Sequence, residues 1–260
     1  MTRHSTRGVL PLLAAASLLL TACSDGTSGA TQEESSSTAS SGATDGSTTT
    51  TPPASPPELG TMDEGTLLQP GSYTLTAWGG SSSTKRAVIE APDGYYPFGD
   101  STFITPADGA APFLALSYIT VDAVYRNPCG RPGHSKDGLL EDPGPTVEDL
   151  ADALAAQKLT TTTRPVPVTI DGYDGLYLEL ATSEKTDFSQ CGDGVLDIFA
   201  APAGHGGIYA EQPGQHYGIW ILDLDGDREV IGWSAYPGAP DDEIQTLEAM
   251  AESVHFVDPS

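Results

Sequence analysis

The sequence predicts an α+β domain with a mainly antiparallel β-sheet and two packing helices, preceded by a disordered linker. Three observations carry this reading: apolar residues alternate with period 2 in several runs, Asp225-Gly226 separates two of those runs, and two segments with helical spacing follow Pro and cap-like residues. Alternation of period 2 marks strands with distinct faces, whereas i, i+3, i+4, i+7 spacing marks a helix with one apolar stripe.

Taken in chain order, weaker strand candidates lie near 72–78 and 85–91, and a longer one over 113–124 ends at the turn Asn127-Pro128-Cys129. After Gly144-Pro145, Thr146 and Asp149 form a capping-box-like start. Val147, Leu150, Ala151 and Leu154 then follow at helical spacing. Further strands are expected near 164–170 and 194–200 and over 173–180. In the last of these, Leu176, Leu178 and Leu180 share one face, while Tyr173, Tyr177 and Glu179 share the other, as in a half-buried strand. Runs 217–224 and 229–236 flank Asp225-Gly226, the dipeptide favoured where a tight hairpin needs positive φ angles. The second helix follows Pro240. Asp241, Asp242 and Glu243 suit the positive end of its dipole, and Ile244, Leu247, Ala251 and Val254 make its stripe. Short local pairings plus two helices give an α+β domain over 61–260.

Ahead of it, 24–60 is Ser, Thr, Gly, Ala and Pro with a few acids, too poor in apolar side chains to offset the entropy of ordering. Such a linker has an r.m.s. span on the order of 35 Å. The run Thr48-Thr49-Thr50-Thr51-Pro52-Pro53 resembles O-glycosylated bacterial stalks in composition.

Residues 1–22 read as a signal peptide: Arg3 and Arg7 precede the apolar run 9–20, which is too short to span a bilayer as a helix. Leu20-Thr21-Ala22-Cys23 follows directly and resembles the lipobox of bacterial lipoprotein precursors. The resemblance implies a diacylglyceryl group on Cys23 and cleavage just before it. Two acyl chains hold a protein firmly to a membrane where one does not. The expectation is a lipid-anchored protein on the extracytoplasmic face of a bacterial membrane.

The formal charge is −25, and it becomes more negative once Arg3 and Arg7 are removed. Nucleic acid is excluded as a partner, because binding it needs clustered Lys and Arg. With Cys23 assigned to lipid, Cys129 and Cys191 are left for a disulfide in an oxidising compartment. They are not spaced as CxxC, which argues against a redox or metal pair.

The order of elements resembles the Mog1/PsbP-like fold of small surface lipoproteins. The likeness runs through Ala91-Pro92-Asp93-Gly94-Tyr95, a middle helix, and a last helix entering Ser253-Val254-His255-Phe256. It implies an adaptor or surface protein with no shared reaction.

No segment carries a complete catalytic or cofactor motif. Gly232-Trp233-Ser234-Ala235-Tyr236 misses the nucleophile elbow at its second glycine. Ser82-Ser83-Thr84-Lys85 matches S-x-x-K in a Gly/Ser loop without its companion motifs. Asp223, Asp225 and Asp227 alternate like the first ligands of a calcium loop, but Gly226 and Ser234 stand in the wrong places for an EF-hand, and a solvated hairpin turn fits better. His134, His205, His216 and His255 are scattered, and Gly79-Gly80-Ser81 lacks the rest of a phosphate loop. No cofactor, metal or catalytic residue is therefore expected. The expected function is a non-enzymatic binding or adaptor domain for an envelope protein, a glycan or a small ligand. An envelope hydrolase with an unrecognised site and a passive wall spacer are the alternatives. Tyr173 and Tyr177 offer either an exposed aromatic patch or cross-strand packing.

Overall fold

The computed structural model describes residues 55–79, 84–105, 113–129, 140–202 and 207–259, all within one compact unit, Pro52–Ser260. Cys23, the expected signal peptide and nearly all of the expected linker lie outside the described residues. In chain order the strands before the first helix are β1 (Gly71–Leu75), β2 (Arg86–Ala91), β3 (Tyr96–Phe98), β4 (Thr102–Ile104), β5 (Leu114–Ile119), β6 (Ala123–Tyr125) and β7 (Leu140–Glu141). Helix α1 (Val147–Ala155) is followed by β8 (Thr160–Thr162), β9 (Val166–Ile170), β10 (Tyr173–Thr182), β11 (Leu196–Ala200), β12 (Gly207–Ala210), β13 (His216–Leu224) and β14 (Asp227–Ala235). Helix α2 (Asp241–Glu252) and β15 (His255–Val257) end the fold. Two helices on antiparallel ladders make an α+β architecture, as the alternation predicts.

The strands form three sheets. The largest runs β3-β4-β5-β14-β13-β10-β8, with β9 also paired to β10. A three-stranded sheet, β1-β2-β15, and a four-stranded one, β12-β11-β6-β7, complete the set. The large sheet is the middle layer. On one face Leu116, Tyr118, Trp220, Leu222, Ile231 and Trp233 pack with Ile89 of the three-stranded sheet and with Leu247, Met250 and Ala251 of α2. On the other, Leu178, Leu180, Ile219, Ile221 and Val230 pack with Leu150 and Leu154 of α1 and with Leu196 and Ile198 of β11. Burial of both faces explains why β13 is apolar at almost every position rather than alternating.

Local chemistry sets the element ends. The Thr146 hydroxyl accepts from the Asp149 amide at 3.1 Å, and the Asp149 carboxylate accepts from the Thr146 amide at 3.0 Å, closing the capping box at α1. Asp225 and Gly226 both have positive φ, +61° and +98°, which matches the twist a two-residue hairpin needs between β13 and β14.

The expected single strand over 113–124 is two strands in two different sheets. The chain leaves the large sheet after Ile119, and the Asp122 amide then donates to the Ala200 carbonyl, pairing the next residues with β11. Residues 173–180 form a strand that is half-buried as expected: Leu178 and Leu180 are buried, Tyr173 and Tyr177 partly so, and Glu179 is exposed. The start of the fold also precedes residue 61: Leu59 is fully buried, Pro57 O accepts from the Thr74 amide at 2.9 Å, and Glu58 pairs with Arg86 through both carboxylate oxygens.

Candidate functional site

The cluster of α1 and β11 covers only part of its face of the large sheet. Toward β3, β4, β5 and one end of β14 the sheet is met by the edge strand β12, and a slot of about 200 Å³ lies between them. Pairing register decides what floors it. Thr102 stands opposite Ser117, Ile104 opposite Ala115, and Ala115 opposite Ser234, so the period-2 alternation puts all five on the slot side. Their odd or even neighbours, Phe103, Leu116 and Trp233, fill the opposite core. The floor is thus small and partly hydroxylated, with Thr102 Oγ1 and Ser117 Oγ 2.9 Å apart.

Aromatic rings form the walls. Phe113 and Tyr236 pack at 5.5 Å between centroids, Trp78 is carried beside β5 by its amide on Tyr118 O, and Ile208 and Tyr209 come from β12. Phe98 and Tyr209 stand 53% and 43% exposed, two large apolar rings left in water at the same opening. β12 can approach β11 closely because residue 207 is glycine. A Cβ there would lie 2.2 Å from the Phe199 carbonyl oxygen.

Two polar features aim at this space. The Tyr236 hydroxyl donates to the Glu211 carboxylate, and burial together with this bond raises the phenol's pKa well above its ordinary value. The phenol is therefore a neutral donor at physiological pH. Gln215 is only 3% exposed, and its side-chain oxygen accepts from the Glu211 amide at 3.0 Å. Because that partner is a donor, the amide's orientation is fixed with its oxygen toward Glu211. The NH₂ group is left without a partner among the described residues, beside the slot that Gln215 lines. It is not among the buried polar atoms that lack a partner, so it reaches solvent and is available to donate to a group in the slot. A larger cleft of about 680 Å³ runs beside α2, but no aromatic ring lines it, and its charged groups are the carboxylates Glu90 and Asp242.

The sequence-level candidates fall in different places. Cys129 and Cys191 are joined, sulfur to sulfur at 2.09 Å, tying the turn after β6 to the approach to β11. Ser234 lines the slot with no imidazole or carboxylate hydrogen-bonded to it among the described residues. Ser82 and Ser83 lie outside the described residues, and Lys85 pairs with Asp225 and Asp258. Asp223 accepts from the Gly226 amide and Asp227 from the Thr84 hydroxyl, so the three hairpin carboxylates each serve a different partner. No cluster of metal-ligating side chains occurs among the described residues. His134 and His205 are outside them, His216 is exposed, and His255 lies 3.2 Å from Asp171. Gly79 has a positive φ of +82° and abuts Pro202, while its expected companions Gly80 and Ser81 lie outside the described residues. Tyr177 stacks on Trp220 at 4.6 Å and Tyr173 meets Phe256 edge-on at 5.5 Å, so these tyrosines pack across the sheet rather than forming an exposed patch. Sequence reasoning missed Gln215, Glu211 and Phe98. The available signals were a phenylalanine next to Gly99 and a glutamine beside a strand start, and both are too common to stand out.

No protein-family model matches the chain, and no curated protein matches it. Among solved structures, a protein of Bacteroides thetaiotaomicron VPI-5482 is similar over 74% of this chain, at 11% identity and a TM-score of 0.31. The chain spans about half of that neighbour, 50% of its length.

Proposed function

We propose that this chain is a bacterial envelope lipoprotein, anchored through Cys23 to the extracytoplasmic face of the membrane, whose domain binds a small ligand in the slot without transforming it. The anchor rests on Leu20-Thr21-Ala22-Cys23 after a short apolar run. The binding role rests on one observation: an aromatic-walled slot lined by hydroxyls and by the Gln215 amide, whose NH₂ donates to no group among the described residues. Concave sites of mainly apolar lining with a few placed polar groups are what ligand binding uses. An acylated anchor, a polar linker and a domain resembling the Mog1/PsbP-like group fit one arrangement, a binding module held away from the membrane.

The Glu211–Tyr236 hydrogen bond favours a second reading, an envelope hydrolase in which this pair handles a proton. Its raised pKa opposes use of the phenol as a nucleophile near neutral pH.

Radiolabelled palmitate tests the anchor: the native chain incorporates it, and Cys23→Ser is unlabelled and released into the medium. Label in neither protein contradicts the placement. Turnover of chromogenic esters and glycosides by the wild type, lost in Tyr236→Phe, would overturn binding without chemistry and establish the hydrolase.

A further inference from the structure

The geometry points to a neutral sugar ring as the occupant of the slot, with one of its oxygens accepting from the Gln215 amide. This rests on the reading of the domain as a small-ligand binder and names the class of ligand.

Size comes first. An apolar protein cavity of about 150 Å³ holds one benzene ring, so a slot of about 200 Å³ takes a single substituted six-membered ring. The lining then separates the candidates. One side is aromatic, with Phe98, Phe113 and Tyr236 around the opening. The other offers the hydroxyls of Thr102, Ser117 and Ser234 and the free N–H groups of Gln215. Thr102 and Ser117 bond each other, but a flat aromatic ligand would leave the Ser234 hydroxyl and the Gln215 N–H groups without a partner, which opposes its binding. A pyranose has what both sides require: a face of C–H groups to lie on a ring, and an edge of oxygens that donate and accept. Charge narrows the class further. Among the described residues Glu211 is the only carboxylate lining the slot and no Lys, Arg or His lines it, so an acidic sugar would meet like charge there. The protein's overall charge of −25 acts in the same direction.

The experiment uses the whole exported chain, with titration calorimetry and ligand-observed NMR. The probes are methyl pyranosides of glucose, galactose and mannose, N-acetylglucosamine, glucuronate and p-cresol. At least one neutral sugar is expected to bind with a Kd of about 1 mM or tighter, and glucuronate about tenfold more weakly or not at all. Gln215→Glu keeps the acceptor for the Glu211 amide but removes the donors. Phe98→Ala removes an exposed ring that the core does not need, so folding is preserved. Each is expected to weaken the sugar by about tenfold or more, with the melting temperature of Phe98→Ala unchanged. Binding of p-cresol and of no sugar overturns the ligand class while leaving a binding domain. Binding of no probe overturns both readings. Sugar binding that Phe98→Ala, Ser234→Ala and Gln215→Glu all leave intact puts the ring elsewhere and overturns the assignment.

Discussion

The two faces of the large sheet are built from the same strands and do different work. The face toward α2 is packed: Trp220, Ile231, Trp233 and Leu116 alternate inward into one buried cluster with Leu247, Met250 and Ala251. The face toward α1 is sealed over β10 and β13 by Leu150 and Leu154, then changes character over β4, β5 and β14, where Thr102, Ala115, Ser117 and Ser234, with Ile104 the one large exception, replace the large residues. One strand carries both characters. β14 puts Val230 into a dry core and Ser234 into the slot, both on the same side. A stable sheet therefore needs only part of its second face for packing, and the remainder is free to carry a site.

The comparison can be broken most severely through the disulfide, which lies wholly in the layer on the slot side. Replacing Cys129 and Cys191 by serine frees a segment 62 residues long and is expected to cost about 4 kcal/mol. The layer of β6 and β11 should loosen first. Calorimetric melting checks the size, and earlier hydrogen exchange in β11 than in β2 checks the location. A uniform loss of protection would show that the two faces unfold as one.

Single core truncations sharpen it next. Leu222→Ala faces α2 and Leu178→Ala faces α1, and both side chains are fully buried. Each should cost about 3 kcal/mol in chemical denaturation, whereas Ser234→Ala on the slot floor should stay within about 0.5 kcal/mol. A large loss from Ser234→Ala would mean that the floor is part of the packing.

A smaller effect is expected at the start of α1. Thr146→Ala removes the hydroxyl that accepts from Asp149 and should cost about 1 kcal/mol. The partner carboxylate is held below its ordinary pKa by the Thr146 amide and hydroxyl. A depressed carboxylate contributes stability above its unfolded pKa and loses it as pH falls through the folded one. The gap between wild type and Asp149→Asn should therefore close below about pH 4.

The smallest effect lies on the other face. Glu248 has a raised pKa, from burial first and then from Glu179 and Glu252 nearby. Its ionised form is disfavoured in the fold, so this loss of stability is absent below pH 4.5 and sets in as pH rises through the raised value. Glu248→Gln should gain about 0.3 kcal/mol at pH 7 and nothing at pH 4.

Much of the fold was legible in the sequence because its signals are local. The Thr146–Asp149 cap, the Asp225-Gly226 hairpin and the stripe Ile244, Leu247, Ala251 each act over a few residues and are found where expected, with Val254 buried just past the helix end. The layers were not legible. Alternation over 173–180 gives the two faces of the strand, but whether the tyrosine face is wet depends on β15 and α2, which arrive from the far end of the chain. The break after Ile119 was hidden for the same reason, because its cause is a partner at Ala200. The slot was the least legible part. Thr102, Ser117 and Ser234 are unremarkable singly, and only the register of three strands brings them onto one floor. Gln215 matters only because the Glu211 amide takes its oxygen.

That amide offers the most direct test. The side-chain NH₂ of Gln215, assigned in a ¹⁵N spectrum through its loss in Gln215→Glu, should shift progressively as the bound methyl pyranoside is titrated, with the Trp78 indole signal moving in step. Saturating sugar that leaves both resonances in place, while shifting others remote from the slot, would contradict the assignment of the slot as the binding site.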